Sequence, residues 1–167
     1  QILINNKDIT CLPVAVFLPK SIRAVWSNLS ITYSGNPYMN LDIKTPAIRI
    51  QNILELIRPQ AVITDTAHVK IVECIVPAGV SIINLDELDL SLGYNYEVIM
   101  KRLSHLIDTD PYCIINTSGS TGTPKGVVLN HKSFFDFMIR SEEIFPLTDD
   151  EVIGSLSPAV FDIYVYE

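Results

Sequence analysis

Basic residues are scarce: 12 lysines and arginines stand against 19 aspartates and glutamates, a formal charge of −7. That balance argues against a nucleic-acid or anionic-membrane surface as the main partner, while leaving room for a local cationic site. No apolar run reaches the roughly 18 residues that a membrane span needs, because proline, asparagine or a charge interrupts each one. QILINNKDIT, at the amino terminus, lacks the basic-then-apolar pattern of a secretory leader. Cysteine is sparse and odd in number, at Cys11, Cys74 and Cys113, which argues against a disulfide framework. Cys74 and Cys113, set in ECIVP and YCIIN, are expected as buried free thiols in a soluble, cytoplasmic protein. His68, His105 and His131 lie far apart and show no ligand spacing with the cysteines, so no metal site is expected. Glycine is also rare, with 7 in 167 residues.

What is present is core material. A hydrophobic content of 48% is enough to bury roughly two-thirds of the unfolded chain's surface. The start at Gln1 and the unclosed apolar end SPAVFDIYVYE read as an excised piece of a longer protein, with no domain boundary inside residues 1–167.

Strands alternate with helices. VAVFL (14–18) reads as a strand, and Ile22, Val25, Trp26 and Leu29 at i, i+3, i+4, i+7 read as the stripe of a helix laid on a sheet. PYMNLD (37–42) is a second strand. Thr45 as cap and Pro46 in the first turn then open a helix with Ile50, Ile53, Leu54 and Ile57 on one face, ended by Pro59. AVIT (61–64) is a third strand. VKIVECIVP and VSIINLDELDLSLG suggest one or two more, with a polar turn. Tyr96, Ile99, Leu103 and Leu106 mark a helix; YCIIN (112–116), GVVLN (126–130) and VIGSL (152–156) read as strands, with a helix over 132–145. The fold class is therefore α/β, a layered and largely parallel sheet with helices on both faces. The aromatics near 94–96 and 134–137 fall at helical spacing and are expected in the core. The acidic groups DELD (86–89) and TDDE (148–151) are expected to be solvated faces.

Three of the glycines fall within TSGSTGTPKG (117–126), beside five hydroxyl residues, Pro124 and Lys125. Glycines let backbone amides approach a ligand, and amides gathered in a turn bind anions. Thr117, Ser118, Ser120, Thr121 and Thr123 add hydroxyl donors, and Lys125 adds a charge: together, a polyphosphate grip. A solvated loop with no ligand has a similar composition; the lysine beside a proline is what separates the two. The common GxxxxGK nucleotide loop is excluded by register, since Pro124 stands five positions after Gly119 and Val127 five after Gly122. Context excludes it too, because Gly126 leads into Val127, Val128 and Leu129, which favour a strand over the helix such a loop opens.

TSGSTGTPKG followed by VVLNH resembles the phosphate-loop signature of the adenylate-forming superfamily, which includes acyl-CoA synthetases, luciferases and the amino-acid adenylation domains of nonribosomal peptide synthetases. VAVFLPKS, PYMNLDIKTPAIRIQNILELIRPQAVITD and SPAVFDIYVYE are similar to further segments of that family, weakest over 67–110. ITYSGNPYMNLD departs from it, standing where adenylation domains usually carry a glycine-and-alanine-rich stretch. The resemblance implies the amino-terminal portion of the large subdomain of an adenylation domain, with the remainder and the small carboxy-terminal domain beyond residue 167. It implies ATP and Mg²⁺ as cofactors, held through Thr117, Ser118, Gly119, Ser120, Thr121, Gly122, Thr123, Lys125 and Gly126. An amino acid would be activated as its adenylate and passed to the phosphopantetheine thiol of a carrier protein. No catalytic residue is expected within this chain, which alone should not turn over.

In the amino-acid-activating branch, the aspartate of the Phe-Asp pair binds the substrate's α-ammonium; by resemblance that is Asp162, beside Phe161 as core or pocket wall. A carboxylate set in the apolar run PAVFDIYVYE is expected to be partly desolvated and to favour a cationic partner. The competing role is a helix cap, worth about 0.3–1 kcal/mol through the helix dipole. If Asp162 only caps, an acyl-CoA or aryl-CoA ligase of the same superfamily fits; the alternative from another class is a non-catalytic fragment or interaction module, with an intact loop and no partner domain. His131 is expected to be a solvated or capping residue, not a base.

Overall fold

Pro13 and Pro19 bracket the first strand, β1 (Val14–Val16), an apolar run with no polar atom in its side chains. The computed structural model describes residues 3, 10–89, 91, 93–118 and 124–166. After β1 come α1 (Ile22–Tyr33), β2 (Tyr38–Asn40), α2 (Ala47–Ile57), β3 (Ala61–Thr64), α3 (Val69–Ile75) and β4 (Ser81–Asn84), which runs into a 3₁₀ turn at Leu85–Glu87. Next follow α4 (Tyr96–Leu103), β5 (Pro111–Ser118), β6 (Pro124–Asn130), α5 (His131–Ile144) and the short α6 (Ile163–Tyr166).

The strands make one sheet in the order β4-β3-β1-β2-β5-β6. Val14 pairs with Tyr38 on one side and Ala61 on the other, Ala61 with Ser81, and Tyr38 with Cys113, all in parallel. Only β6 is antiparallel, as the return arm of a hairpin with β5. Alternation along β1 sorts its side chains into two cores. Ala15 and Phe17 join Met39, Val62 and Ile114 under Ile50, Ile53 and Leu54 of α2 and Val72 and Ile75 of α3. Val14, Val16 and Leu18 join Tyr38, Ala61 and Ile63 under Ala24 and Ile31 of α1. Tyr112 stacks on Phe134 at 4.6 Å, which brings α5 to the α1 face. Largely parallel strands with helices on both faces are what the alternation of elements predicts.

Several expectations are corrected. The first helix forms, capped by Ser21, but its buried stripe is Ala24, Ser27, Asn28 and Ile31. Ile22, Val25, Trp26 and Leu29 face outward instead, Ile22 at 67% and Trp26 at 60% exposure. Both stripes have the spacing of one helical face, and the smaller residues let α1 approach the sheet closely. Thr45 is not the cap of α2: Pro46 takes that position without a side-chain bond, and Arg58 closes the helix in the left-handed region at φ 48°. VKIVECI is a helix, not a strand, burying Val72 and Ile75 three residues apart. Residues 152–156 form no strand. Tyr94, Tyr96, Phe135 and Phe137 are exposed, and of the aromatics expected in the core only Phe134 is partly covered.

All three cysteines are free, but Cys74 is exposed on α3 while Cys113 is buried. DELD and TDDE lie in turns as expected; Asp86 pairs with Arg23 at 2.6 Å, and the Thr66 amide and that guanidinium hold its carboxyl below the usual range. Arg102 of α4 is buried and donates from Nε to the Ser34 carbonyl at 2.9 Å, fastening α4 to the end of α1. No helix among the described residues is long and apolar enough to cross a membrane.

The orientation of α1 is open to direct test by urea unfolding of the 167-residue chain. Ile31→Ala is expected to cost about 2–5 kcal/mol, and Trp26→Ala to stay within about 0.5 kcal/mol. The opposite ranking would mean that the helix sits in the phase its large apolar residues suggest.

Candidate phosphate loop and substrate segment

β5 and β6 carry the two arms of the glycine and hydroxyl loop. Asn116 pairs with Gly126, Thr117 with Lys125, and Ser118 with Pro124. Thr117 and Lys125, directly opposed across an antiparallel pair, share one face, and both are exposed. The Thr117 hydroxyl reaches the Lys125 carbonyl at 3.5 Å, a long contact that leaves it available to another acceptor. Gly119, Ser120, Thr121, Gly122 and Thr123, and the side chain of Ser118, lie outside the described residues. The strand that follows the loop is the context expected of a grip unlike the helix-opening nucleotide loop.

Gly126 has a packing reason to be glycine. A Cβ there would stand 2.8 Å from Ile57 Cδ1 of α2 and 3.1 Å from Ile114 Cγ2. The bare backbone lets α2 settle on the hairpin, so this glycine serves the core as well as the loop. Gly126→Ala is expected to cost about 1–3 kcal/mol through forced repacking, checked by thermal unfolding; trimming the neighbour in Gly126→Ala/Ile57→Val should recover part of the loss.

Because β5 runs parallel to β2, its Ser118 end lies on the same edge of the sheet as the carboxyl ends of β1, β2 and β3. The chain leaves β1 toward α1 on one face and leaves β2 toward α2 on the other. Such a divergence opens a crevice outside the carboxyl ends of the two strands. Here the crevice has a volume of about 370 Å³, walled by Leu18, Lys20, Leu41 and Asp42 and roofed by residues 156–160. Lys20 Nζ donates to the carbonyls of Ser155 at 2.7 Å and Ser157 at 2.6 Å, and Asn40 Nδ2 to that of Ala159 at 3.0 Å.

This roof leads to Asp162. Its Oδ1 accepts from the Ile163 amide at 2.9 Å, at the start of α6. The carboxylate is exposed, so the partial desolvation expected of it is not supplied by the described residues; Phe161 is exposed too. Lys20 and Asn40, which hold this segment, escaped the sequence reading because their partners lie 135, 137 and 119 residues away.

Other reactive-looking groups are structural. Burial pushes the Cys113 thiol up to about 11, far from a neutral-pH thiolate. The Tyr38 hydroxyl is pushed up as well, chiefly by burial. His131 is half-buried against Tyr112, ring centroids 5.3 Å apart, and burial lowers its pKa against the opposing pull of Asp110. It is neither solvated nor the cap, since Asn130 accepts from the Ser133 amide at 2.7 Å and caps α5. Asn116, beside Gly126, buries both side-chain polar atoms without a partner. A polar residue inside the apolar run YCIIN was the available signal for it. Among the described residues no three His, Cys, Asp or Glu side chains gather as a metal site.

The AMP-binding enzyme family matches residues 10–167. A dimodular nonribosomal peptide synthase of Bacillus subtilis (strain 168) is 33% identical over 159 residues, covering 92% of this chain and 6% of that protein. Tyrocidine synthase 1 of Brevibacillus parabrevis is 31% identical over 155 residues, covering 92% and 14% respectively. In structure the chain is similar to the nonribosomal peptide synthetase FmoA3 in its α-methyl-L-serine-AMP-bound form, with a TM-score of 0.79 and 22% identity over 99% of this chain and 17% of that one. ATP-bound MatB from Rhodopseudomonas palustris gives a TM-score of 0.77 at 17% identity, over 99% of this chain and 33% of that one. The chain thus spans a small part of each of these proteins, and the structural likeness is one of fold.

Proposed function

The chain belongs to the AMP-binding enzyme family, and from that premise we propose that it is the amino-terminal part of the large subdomain of an amino-acid adenylation domain. The parent protein is then an adenylate-forming ligase. A substrate carboxylate oxygen attacks the α-phosphorus of ATP and the bond to pyrophosphate breaks; the phosphopantetheine thiol of a carrier protein then attacks the acyl carbon of the adenylate, forming the thioester as the acyl–phosphate bond breaks and AMP leaves with the thiol proton lost to solvent. The observation that supports this reading is the β5–β6 hairpin, which sets Thr117 and Lys125 opposite each other at the edge where the parallel strands β1, β2 and β3 have their carboxyl ends, the edge at which ligands bind in such sheets.

Catalysis of this kind consists mainly of positioning and charge neutralisation. Residues Thr117 to Gly126 close over the β- and γ-phosphates, with Ser118, Gly119, Ser120, Thr121, Gly122 and Thr123 supplying amides and hydroxyls. Lys125 stabilises the departing pyrophosphate as a fixed charge, without exchanging a proton. A Mg²⁺ carried on the nucleotide needs few protein ligands, and the exposed Thr117 hydroxyl is a fitting hard oxygen donor beside the phosphates. When bound it neutralises phosphate charge. Asp162 pairs with the substrate's α-ammonium, which its exposure in this chain permits.

One observation favours a second reading. Asp162 stands immediately before α6, its carbonyl accepting from the Val165 amide and its Oδ1 from the adjacent Ile163 amide, the helix-start position expected of an acyl-CoA or aryl-CoA ligase in which Asp162 has no substrate role. Substrate profiling with free CoA against carrier protein separates the two.

Tests belong in the full-length polypeptide. Lys125→Ala is expected to slow amino-acid-dependent pyrophosphate exchange by more than tenfold, a barrier change above about 1.4 kcal/mol; unchanged exchange refutes the phosphate role. Asp162→Ala is expected to lose the preference for the amino acid over its deaminated analogue. Retention of that preference rejects the ammonium contact.

A further inference from the structure

The chain from Phe145 to Asp162 contains no helix or strand. Stretches of that length without regular structure need explicit anchors, because their own backbone bonding does not fix their course. Solvent meets much of this one, with Val152 at 97% and Leu156 at 90% exposure. Among the described residues its long-range anchors include carbonyls at three alternate residues: Ser155 and Ser157 accept from Lys20 Nζ, and Ala159 from Asn40 Nδ2. The backbone bends at Ser157 and turns at Ala159–Val160, where the Phe161 amide bonds back to the Pro158 carbonyl, so the segment is held in the crevice by side chains and not by a neighbouring strand. Beyond Asp162, the same Lys20 ammonium stands 5.3 Å from the ring centroid of the buried Tyr164.

We propose that Lys20 is a positioning residue for substrate selection: it grips the chain before Asp162 by two carbonyls and after it by the Tyr164 ring, and so fixes where that carboxylate stands. This rests on the reading of Asp162 given above. A lone exposed lysine contact holds little. Here one ammonium directs its donors at two carbonyls, adds a cation–π contact and is seconded by Asn40, so four contacts converge on one short segment. The role is also suited to the crevice, whose walls come from the rigid ends of β1 and β2.

In the full-length polypeptide, Lys20→Ala is expected to raise the KM for the amino acid about tenfold, as befits lost charge-assisted bonds, with the KM for ATP and the melting temperature unchanged. Lys20→Arg, which keeps two donors on one planar head, recovers most of that loss. Lys70→Ala, at an exposed lysine of α3 outside the crevice lining, leaves both constants unaltered. Hydrogen exchange at the amides of Phe161, Tyr164 and Val165, bonded to the carbonyls of Pro158, Phe161 and Asp162, is expected to accelerate at least about tenfold in Lys20→Ala. Unchanged exchange, or an equal rise in both KM values, overturns the proposal. If Asp162→Ala itself leaves substrate preference intact, the ammonium contact falls, and the exchange rates alone decide whether Lys20 holds the segment.

Discussion

Parallel pairing of β1 with a strand on each side is the constraint from which the rest of the structure follows. Val14, Ala15 and Val16 are buried on both faces, so the chain must return to the same edge of the sheet after each strand, and helices must cover both surfaces. Going one way to β2 and the other way to β3 forces α1 and α2 onto opposite faces. The crevice between the carboxyl ends of β1 and β2 is the geometric remainder of that divergence. The hairpin of β5 and β6 projects on the same edge because β5 continues the parallel run.

The loop stands out because its chemistry is contiguous: five hydroxyl residues, three glycines and a lysine fall within ten positions, which is the ground for proposing a phosphate grip, and the β-branched residues after Gly126 announce the strand that the structure shows. Strands β1, β3 and β5 were equally plain, as short apolar runs between prolines or polar turns. What failed was phase and context. A helical spacing of apolar residues reveals a helix but not which face meets the sheet, and in α1 the large side chains of Ile22 and Trp26 lost to Ala24 and Ser27. VKIVECI has the composition of a strand, yet with β3 and β4 pairing directly in parallel a crossover is required between them, and that segment is the only chain available to make it.

The candidate substrate segment was legible as composition and not as placement. The Phe-Asp pair could be picked out by resemblance, but VIGSL reads as a strand only if a partner edge is free to receive it. In the fold its neighbourhood offers Lys20 and Asn40 in place of a strand edge. Contacts joining residues more than a hundred positions apart leave no periodic trace, which is why these two side chains drew no notice.

Gly126 sits where two requirements overlap, touching Ile57 of α2 while it closes the register opposite Asn116. The helix and the hairpin are therefore not independent design variables. Enlarging residue 57 to improve packing would press on Gly126 and shift the β6 arm, so stability engineering on that helix would also move Lys125 relative to Thr117.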